Sequence, residues 1–284
     1  MTRELEALLK LVDDPDDEVY HVVSKKILNY GKEAIPYLQQ YENINYTQAT
    51  QERIEHIVHK MYYNDLVIEL DNWACSEEHD VLYGAYLMAL YNDPNTEYNT
   101  ISSEIDRLKK HIWIELNSYL TPIEKINVIN NIIFKQHRYS GTEINYDKPT
   151  QFLLPNLIDT KKGNSYALVV LYTVLSQSLD VPVFALQFPK QIVLCYLDPL
   201  TDYFEPNENN FYKIKFFIDP IFGNIISHND VELFFKRINV PLTSSYFRPL
   251  SNKSLIQNIL LQYAKCHKQI EKADELNELV KLLD

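Results

Sequence analysis

The segment between residues 161 and 219 constrains the fold of this chain more than any other stretch. Its first residues, Lys-Lys-Gly-Asn-Ser-Tyr at 161–166, are typical of a helix start, and the apolar run 167–179 follows. Three β-like segments come next, at 183–188, 191–197 and 213–219. This order predicts an α+β arrangement in which one helix leads directly into a small antiparallel sheet.

A polar loop at 201–210 joins the second and third β-like segments, and its symmetry determines their expected pairing. A symmetric hairpin pairs Leu197 with Lys213. The same register places Gln191 opposite Asp219, within reach of each other's side chains. We therefore expect these two polar residues to be neighbours across the sheet.

Helical patterns surround this segment on both sides. Residues 1–60 show short helices interrupted by an acidic turn, in a pattern that resembles one HEAT-type repeat. The last part of the chain shows a helical hairpin that resembles one TPR unit. The predicted domains are a HEAT-like region at 1–95, a core at 96–240 and a TPR-like hairpin at 241–284.

The strongest helix start in the sequence lies at Thr121. Thr121 caps the N-terminus of the helix, Pro122 occupies the first helical position, and Glu124 completes a capping box. The apolar pattern that follows predicts a helix that continues to about Gln136.

Composition narrows the possible partners and compartments. The chain of 284 residues has 39 acidic and 27 basic residues and a net charge of −12, with no basic face, so nucleic acid is not an expected partner. Phosphate-binding glycine motifs are absent and no cofactor is expected. No apolar run approaches the ~20 residues of a membrane span, and the first residues lack a signal-peptide pattern. Three widely spaced cysteines, Cys75, Cys195 and Cys266, are typical of reduced thiols, so we predict a cytoplasmic protein.

No metal site is predicted from the sequence. His56 and His59, and likewise Cys75 and His79, could each present two ligands from one helix face. A zinc site needs more ligands that converge, and the H-E-x-x-H motif is absent.

Motifs distributed between residues 139 and 220 resemble the SirB-type transglutaminase-like family. They are Tyr-Ser-Gly at 139–141, the stretch 152–172, Val-Pro at 181–182, Phe-Pro-Lys-Gln at 188–191 and Phe-Ile-Asp-Pro at 217–220. The last two correspond to F-P-G-H and F-I-D-P in that family. The resemblance covers the chain from about residue 100 to the end and implies a transglutaminase-like core with front helices and a TPR-like tail.

The resemblance also identifies three candidate site residues. Active transglutaminase-like enzymes place a cysteine nucleophile at the helix start, a histidine base at the head of the second strand and an aspartate after the third. Ser165, Gln191 and Asp219 occupy these positions here. The SirB-type family usually has proline at the first of them, so loss of the thiol is shared. Because a glutamine amide does not titrate near neutral pH, Gln191 cannot accept a proton from a serine hydroxyl.

Each candidate also has a simple structural explanation. Ser165 can cap its helix or neighbour the cap, and Asp219 can anchor an Asx turn before Pro220. Gln191 is expected to hydrogen bond to Asp219 or to solvent. Cys195 lies four residues from Gln191, ~13 Å along an extended strand, and is expected to be a buried, inert thiol.

The sequence therefore predicts a non-catalytic transglutaminase-like protein that acts as a binding or interaction module for a protein or peptide, with a degenerate Cys-His-Asp site. Two alternatives remain open. One is a hydrolase or acyl transferase with an unconventional site based on Ser165, which could borrow His137 or a residue of a partner. The other is an adaptor that uses its HEAT-like and TPR-like surfaces.

Overall fold

The structure is a computed structural model that describes residues 3–42, 48–198 and 210–284. The chain divides into two compact units, Met1–Glu69 and Leu70–Asp284. No helix in the described ranges is both long enough and apolar enough to cross a lipid bilayer.

The first unit is helical and has its own apolar core. Its helices are α1 (Arg3–Lys10), α2 (Asp17–Leu28), α3 (Ile35–Glu42) and the first part of α4 (Gln48–Cys75). Buried side chains from all of them meet in one cluster, which includes Leu5, Leu9, Val23, Ile27, Leu38 and Ile57. Leu5 and Leu9 come from one face of α1, as the helical periodicity predicts.

Arg53 of α4 holds the acidic turn between α1 and α2. Its guanidinium donates hydrogen bonds to the carbonyls of Val12 (3.1 Å) and Asp14 (2.6 Å). It also forms an ion pair with Asp17 at 2.8 Å and lies 4.4 Å from the centre of the Tyr20 ring. One carboxylate of this acidic segment, that of Asp17, thus has an internal basic partner.

The second unit carries the sheet and most of the helices. Its helices after α4 are α5 (Val81–Asn92), α6 (Tyr98–Glu115), α7 (Pro122–Asn130), α8 (Leu154–Thr160), α9 (Ser165–Ser178), α10 (Asn210–Lys213), α11 (His228–Arg237), α12 (Asn252–Ala264) and α13 (Ile270–Leu282). Its strands are β1 (Ser140–Gly141), β2 (Lys162–Gly163), β3 (Val183–Phe188), β4 (Gln191–Leu197), β5 (Ile214–Ile218) and β6 (Ile225–Ile226). The main sheet has the antiparallel order β3-β4-β5-β6, and β1 and β2 form a separate parallel pair.

Helix α9 is the centre of this unit. Its residues are buried almost without interruption, because β3 and β4 cover one side and α5, α6 and α8 cover the others. A helix enclosed on all sides is apolar all round, which explains the continuous apolar run in the sequence. The helix and the sheet together form the α+β core that the sequence predicted.

The predicted pairing of β4 with β5 is wrong. Leu197 pairs with Ile214 and not with Lys213, and Cys195 pairs with Phe217. The register shifts between Tyr196 and Leu197, and the short helix α10 occupies the positions just before β5. The connection is therefore not the symmetric hairpin on which the prediction depended. Most of the predicted loop 201–210 lies outside the described residues.

The capping box at Thr121 is confirmed. The Thr121 hydroxyl accepts a hydrogen bond from the Glu124 N–H, and the Glu124 carboxylate accepts one from the Thr121 N–H. The helix extends to Gln136, as predicted, but its last part, Asn131–Gln136, is a π-helix. Wide turns of this kind occur often at functional sites.

The C-terminal helices α12 and α13 pack against each other, and α12 also contacts α5. Gly84 of α5 permits this contact, since a Cβ there would lie 2.9 Å from a side-chain atom of Ile256. The helical hairpin at the end of the chain is thus packed on the core.

Candidate functional site

A cavity of about 520 Å³ lies where the start of α9 meets β4, the end of β5 and α11. Ser165, Gln191 and Asp219 all line it. The three residues that occupy the triad positions in the sequence are therefore brought to one cavity by the fold.

Ser165 is the first residue of α9 and is 5% exposed. The cap is its neighbour Asn164, whose Oδ1 accepts hydrogen bonds from the N–H groups of Tyr166 (3.0 Å) and Ala167 (3.3 Å). The Ser165 hydroxyl makes no hydrogen bond to the described part of the chain. It is thus a polar group at the positive end of a helix dipole, and no described residue binds it.

Gln191 begins β4 and pairs with Phe188 across the tight turn between β3 and β4. Its backbone carbonyl accepts a hydrogen bond of 3.2 Å from the side chain of Gln187. Within the described ranges its own side-chain amide has no hydrogen-bond partner. The amide is therefore available to a ligand.

The expected hydrogen bond between Gln191 and Asp219 is absent among the described residues. Leu194 pairs with Ile218, so the register brings Asp219 to the level of Val193, two residues from Gln191 along β4. The displaced register explains why the side chains of Gln191 and Asp219 do not form the predicted hydrogen bond.

Asp219 anchors the turn that follows β5. Its Oδ1 accepts a hydrogen bond from the Ile221 N–H at 2.9 Å, which confirms the predicted Asx turn. Its backbone carbonyl accepts from the Gly223 N–H at 2.8 Å, and its N–H donates to the carbonyl of Asn224 at 2.9 Å. Burial raises the pKa of the Asp219 carboxyl, and the bond from Ile221 offsets part of that effect.

Two residues that the sequence analysis did not identify brace this turn. The side-chain amide of Asn130, at the end of α7, donates to the Gly223 carbonyl at 2.6 Å. The Tyr172 hydroxyl of α9 donates to Asn130 Oδ1 at 3.0 Å. Gly223 has a φ of +70°, and a Cβ there would lie 2.6 Å from Asn130 Cγ, so the close approach requires glycine. The helix that carries Ser165 thus also supports the turn that carries Asp219.

Residues 99–261 match the family model of the Transglutaminase-like superfamily. The chain belongs to this superfamily. It is also 26% identical over 180 residues to UPF0162 protein BU173 of Buchnera aphidicola subsp. Acyrthosiphon pisum (strain APS), which covers 61% of this chain and 62% of that protein. The match therefore spans less than two thirds of the relative's length. No solved structure matches the chain.

The matched region contains the cavity of this transglutaminase-like core, but the cavity has no imidazole. All eight histidines lie within the described ranges, and none of them lines it. His137, the one candidate for a borrowed base, is hydrogen bonded to His111 at 2.8 Å and approaches Arg107 at 3.4 Å. Burial and then the positive charge of Arg107 lower the pKa of His137.

The core also places no thiol at the cavity. Cys195 is fully buried in β4, and burial raises its pKa strongly, as expected for an inert thiol. Cys75 is exposed, and burial raises the pKa of Cys266 to about 11. The cysteines form no disulfide, and no group of three or more His, Cys, Asp or Glu in the described ranges could hold a metal ion.

A polar cluster holds the turn that precedes α9. Glu104 of α6 accepts hydrogen bonds from Lys161 Nζ (2.9 Å), the Tyr139 hydroxyl (3.0 Å) and Arg107 Nε (2.7 Å). Burial raises the pKa of Glu104, but these three donors outweigh it and lower the pKa to about 2. Lys161 directly follows α8 as its C-cap, with a left-handed φ of +59°, so the cluster fixes the chain just before Ser165.

Charged and aromatic side chains complete the cavity lining, and the sequence analysis had not assigned them to the site. The charged ones are Glu143, Lys190, Asp230 and Arg237, and the aromatic ones are Phe188, Phe217 and Phe234. One sequence signal for Lys190 was available, because lysine replaces the glycine of the F-P-G-H motif at the turn before β4. Arg237 comes from the end of α11 and has no such signal.

Proposed function

We propose that this chain is a non-catalytic, SirB-type member of the superfamily that binds a ligand in the cavity around Ser165, Gln191 and Asp219. The observation that carries the proposal is the chemistry of the lining. The cavity offers a serine hydroxyl and a glutamine amide that have no hydrogen-bond partner among the described residues, and it has neither an imidazole nor a thiol.

The absence of a base explains why binding is favoured over turnover. A positioned general base contributes about 10²–10⁴-fold to proton transfer, and a serine hydroxyl is a weak nucleophile without one. Of the three triad positions, only that of Asp219 keeps its expected residue, and its Oδ1 accepts a hydrogen bond from the Ile221 N–H in the turn. A hydroxyl and an amide that have no protein partner can instead donate to and accept from a bound molecule.

The assignment to the SirB-type group rests on the order of the motifs and on one backbone angle. Lys190 has a φ of +67°, the conformation that glycine adopts without strain, and glycine is the residue of that family's F-P-G-H motif. With this assignment we propose a HEAT-like region at 1–95, a core at 96–240, a TPR-like hairpin at 241–284 and a cytoplasmic location with a protein or peptide partner.

Covalent labelling tests the non-catalytic part of the proposal. The protein is incubated with fluorophosphonate and activated-acyl probes, and adducts are measured by intact-mass spectrometry and peptide mapping. We expect no adduct at Ser165. An adduct at Ser165 that disappears in Ser165→Ala would refute the proposal and favour the hydrolase or acyl transferase alternative.

A fragment screen tests the binding part. Ligand-observed NMR should find fragments that bind wild-type protein and fail to bind Gln191→Trp, in which the new ring occupies the cavity. Lys110→Trp is the control, since Lys110 is exposed on α6 and does not line the cavity. If every fragment binds Gln191→Trp as well as it binds the control, the proposal that this cavity binds a ligand is wrong.

A further inference from the structure

Lys190 occupies a backbone position that suits glycine. It is the second residue of the two-residue Pro-Lys turn between β3 and β4, and its φ is +67°. A residue with a Cβ is strained in this left-handed region, because its Cβ approaches the following carbonyl oxygen. Backbone strain of this kind is frequent at binding sites, and the side chain of Lys190 lines the cavity.

Arg237 brings a second cation to the same cavity from a different element. It is the last residue of α11, and its guanidinium carbon lies 5.9 Å from the centre of the Phe234 ring. Neither Arg237 nor Lys190 forms an ion pair with any carboxylate in the described ranges. Both charges are therefore available to a ligand.

Three carboxylates also line the cavity, and two of them are engaged within the protein. Asp230 accepts hydrogen bonds from the N–H and the hydroxyl of Ser227 in the capping box of α11, at 3.0 and 2.6 Å. Asp219 is bonded to Ile221 in its turn. Only the exposed Glu143 has no partner in the described part of the chain. The donors to the two aspartates are neutral, so both aspartates keep their charge when they are ionised, but the hydrogen bonds hold their carboxylates to the protein. Among the described residues of the lining, the charged side chains that have no protein partner are those of Lys190, Arg237 and Glu143.

Apart from Ser165 and Gln191, the remaining described residues of the lining are apolar or aromatic. Phe188 and Phe217 are buried with their ring centres 5.9 Å apart, and Phe234 stacks on Phe188 at 6.3 Å. Apolar walls with a few polar groups are typical of sites for small ligands, and about 520 Å³ is in the usual size range. An aromatic or branched apolar side chain would fit against these rings.

From these contacts we propose that the cavity takes a carboxylate joined to an apolar side chain, as in an N-acylated amino acid or in the last residue of a peptide. The carboxylate lies between Lys190 and Arg237, where charge-assisted hydrogen bonds are strong. The side chain packs on the phenylalanine rings, and the neighbouring amide bonds to Gln191 and Ser165. This inference rests on the proposed binding function and names the ligand class for it.

Isothermal titration calorimetry with matched probes tests the inference. The probes are N-acetyl-phenylalanine, its carboxamide, an N-acetylated tripeptide ending in phenylalanine, the carboxamide of that tripeptide, and phenethylamine. We expect each carboxylate to bind about tenfold more tightly than its carboxamide, a difference of about 1.4 kcal/mol, because charge-assisted hydrogen bonds from the two cations are stronger to a carboxylate than to a neutral amide. The tighter of the two carboxylates identifies a free amino-acid derivative or a peptide end as the source.

Variants of Lys190 and Arg237 test whether these two cations cause the difference in affinity between carboxylates and carboxamides. Lys190→Gly and Arg237→Gln should each lower the affinity for the carboxylates and leave that for the carboxamides unchanged. Lys236→Gln is the matched control, because Lys236 is exposed on the same helix as Arg237 and does not line this cavity. Both cations are exposed, so the variants should fold, and circular dichroism checks this.

Three results would overturn the inference. Equal binding of carboxylates and carboxamides would leave the cavity as a binding site and remove the role of the cations. If phenethylamine bound more tightly than either carboxylate, the cavity would be assigned to cationic ligands that bind through Glu143 and Asp219. Failure of every probe to bind at millimolar concentration would also overturn it, while the fragment screen decides separately whether the cavity binds anything.

Discussion

The charge of the Glu104 carboxylate contributes to the free energy of unfolding by an amount that can be measured. Its side chain is 14% exposed and accepts hydrogen bonds from Arg107, Lys161 and Tyr139, which together fix the turn before α9. Replacing it by glutamine keeps the size and the ability to accept hydrogen bonds but removes the charge. Two cations then face a neutral amide.

The magnitude follows from the pKa of Glu104, which falls from 4.5 to about 2. At about 1.4 kcal/mol for each pKa unit, the charged carboxylate would contribute about 3 kcal/mol to the free energy of unfolding at neutral pH. The side chains of Arg107 and Lys161 are 53% and 32% exposed, so solvent screening reduces this contribution. We expect Glu104→Gln to lose about 1–2 kcal/mol at pH 7.

The pH dependence distinguishes charge from packing. Because the folded-state pKa lies below the usual value, the contribution is complete above pH 4.5 and is lost as the pH falls towards 2. The difference between wild type and Glu104→Gln should therefore shrink to less than about half by pH 3.

Urea unfolding followed by tryptophan fluorescence is a suitable assay. Both tryptophans, Trp73 and Trp113, belong to the second unit, and Trp73 is buried. Glu115→Gln is the control, since Glu115 is exposed on the same helix and accepts a single hydrogen bond of 3.2 Å from Gln136. An equal loss of stability at pH 7 and pH 3, or no loss at either, would refute the electrostatic reasoning.

Three further predictions concern the positions around the cavity. In Gly141→Ala the new Cβ would lie 2.9 Å from the Cα of Ile221, so we expect a loss of about 1–3 kcal/mol and a lower Tm, whereas Ser140→Ala beside it should change Tm little. Tyr172→Phe removes the hydrogen bond to Asn130 and should cost about 1 kcal/mol in urea unfolding; an unchanged stability would show that the brace on the Asp219 turn is unimportant. Lys190→Gly should raise stability by about 1 kcal/mol, because it relieves a left-handed φ, and a decrease would contradict the strain at this turn.

Several features of the fold follow from the sequence alone. The limits of β3 and β4, the start of α9 at Ser165 and the capping box at Thr121 all agree with the prediction. The Asx turn at Asp219 agrees as well. Each of these depends on residues within a few positions of one another, and local backbone geometry and hydrogen bonding encode such features directly.

Other features were decided only when distant segments packed together. The pairing of Leu197 with Ile214 depends on an irregularity in β4 and on α10, and strand periodicity contains neither. The brace from Tyr172 through Asn130 to Gly223 joins three elements that are far apart in the chain.

Sequence and resemblance selected Ser165, Gln191 and Asp219, but tertiary structure decided what surrounds them. Arg237 reaches the cavity from the end of α11, and the register displaces Gln191 from Asp219. Local sequence determines the conformation of each element and the chemical groups that it carries. The groups that meet in a cavity are determined by the packing of elements distant in the chain, which short-range patterns do not record.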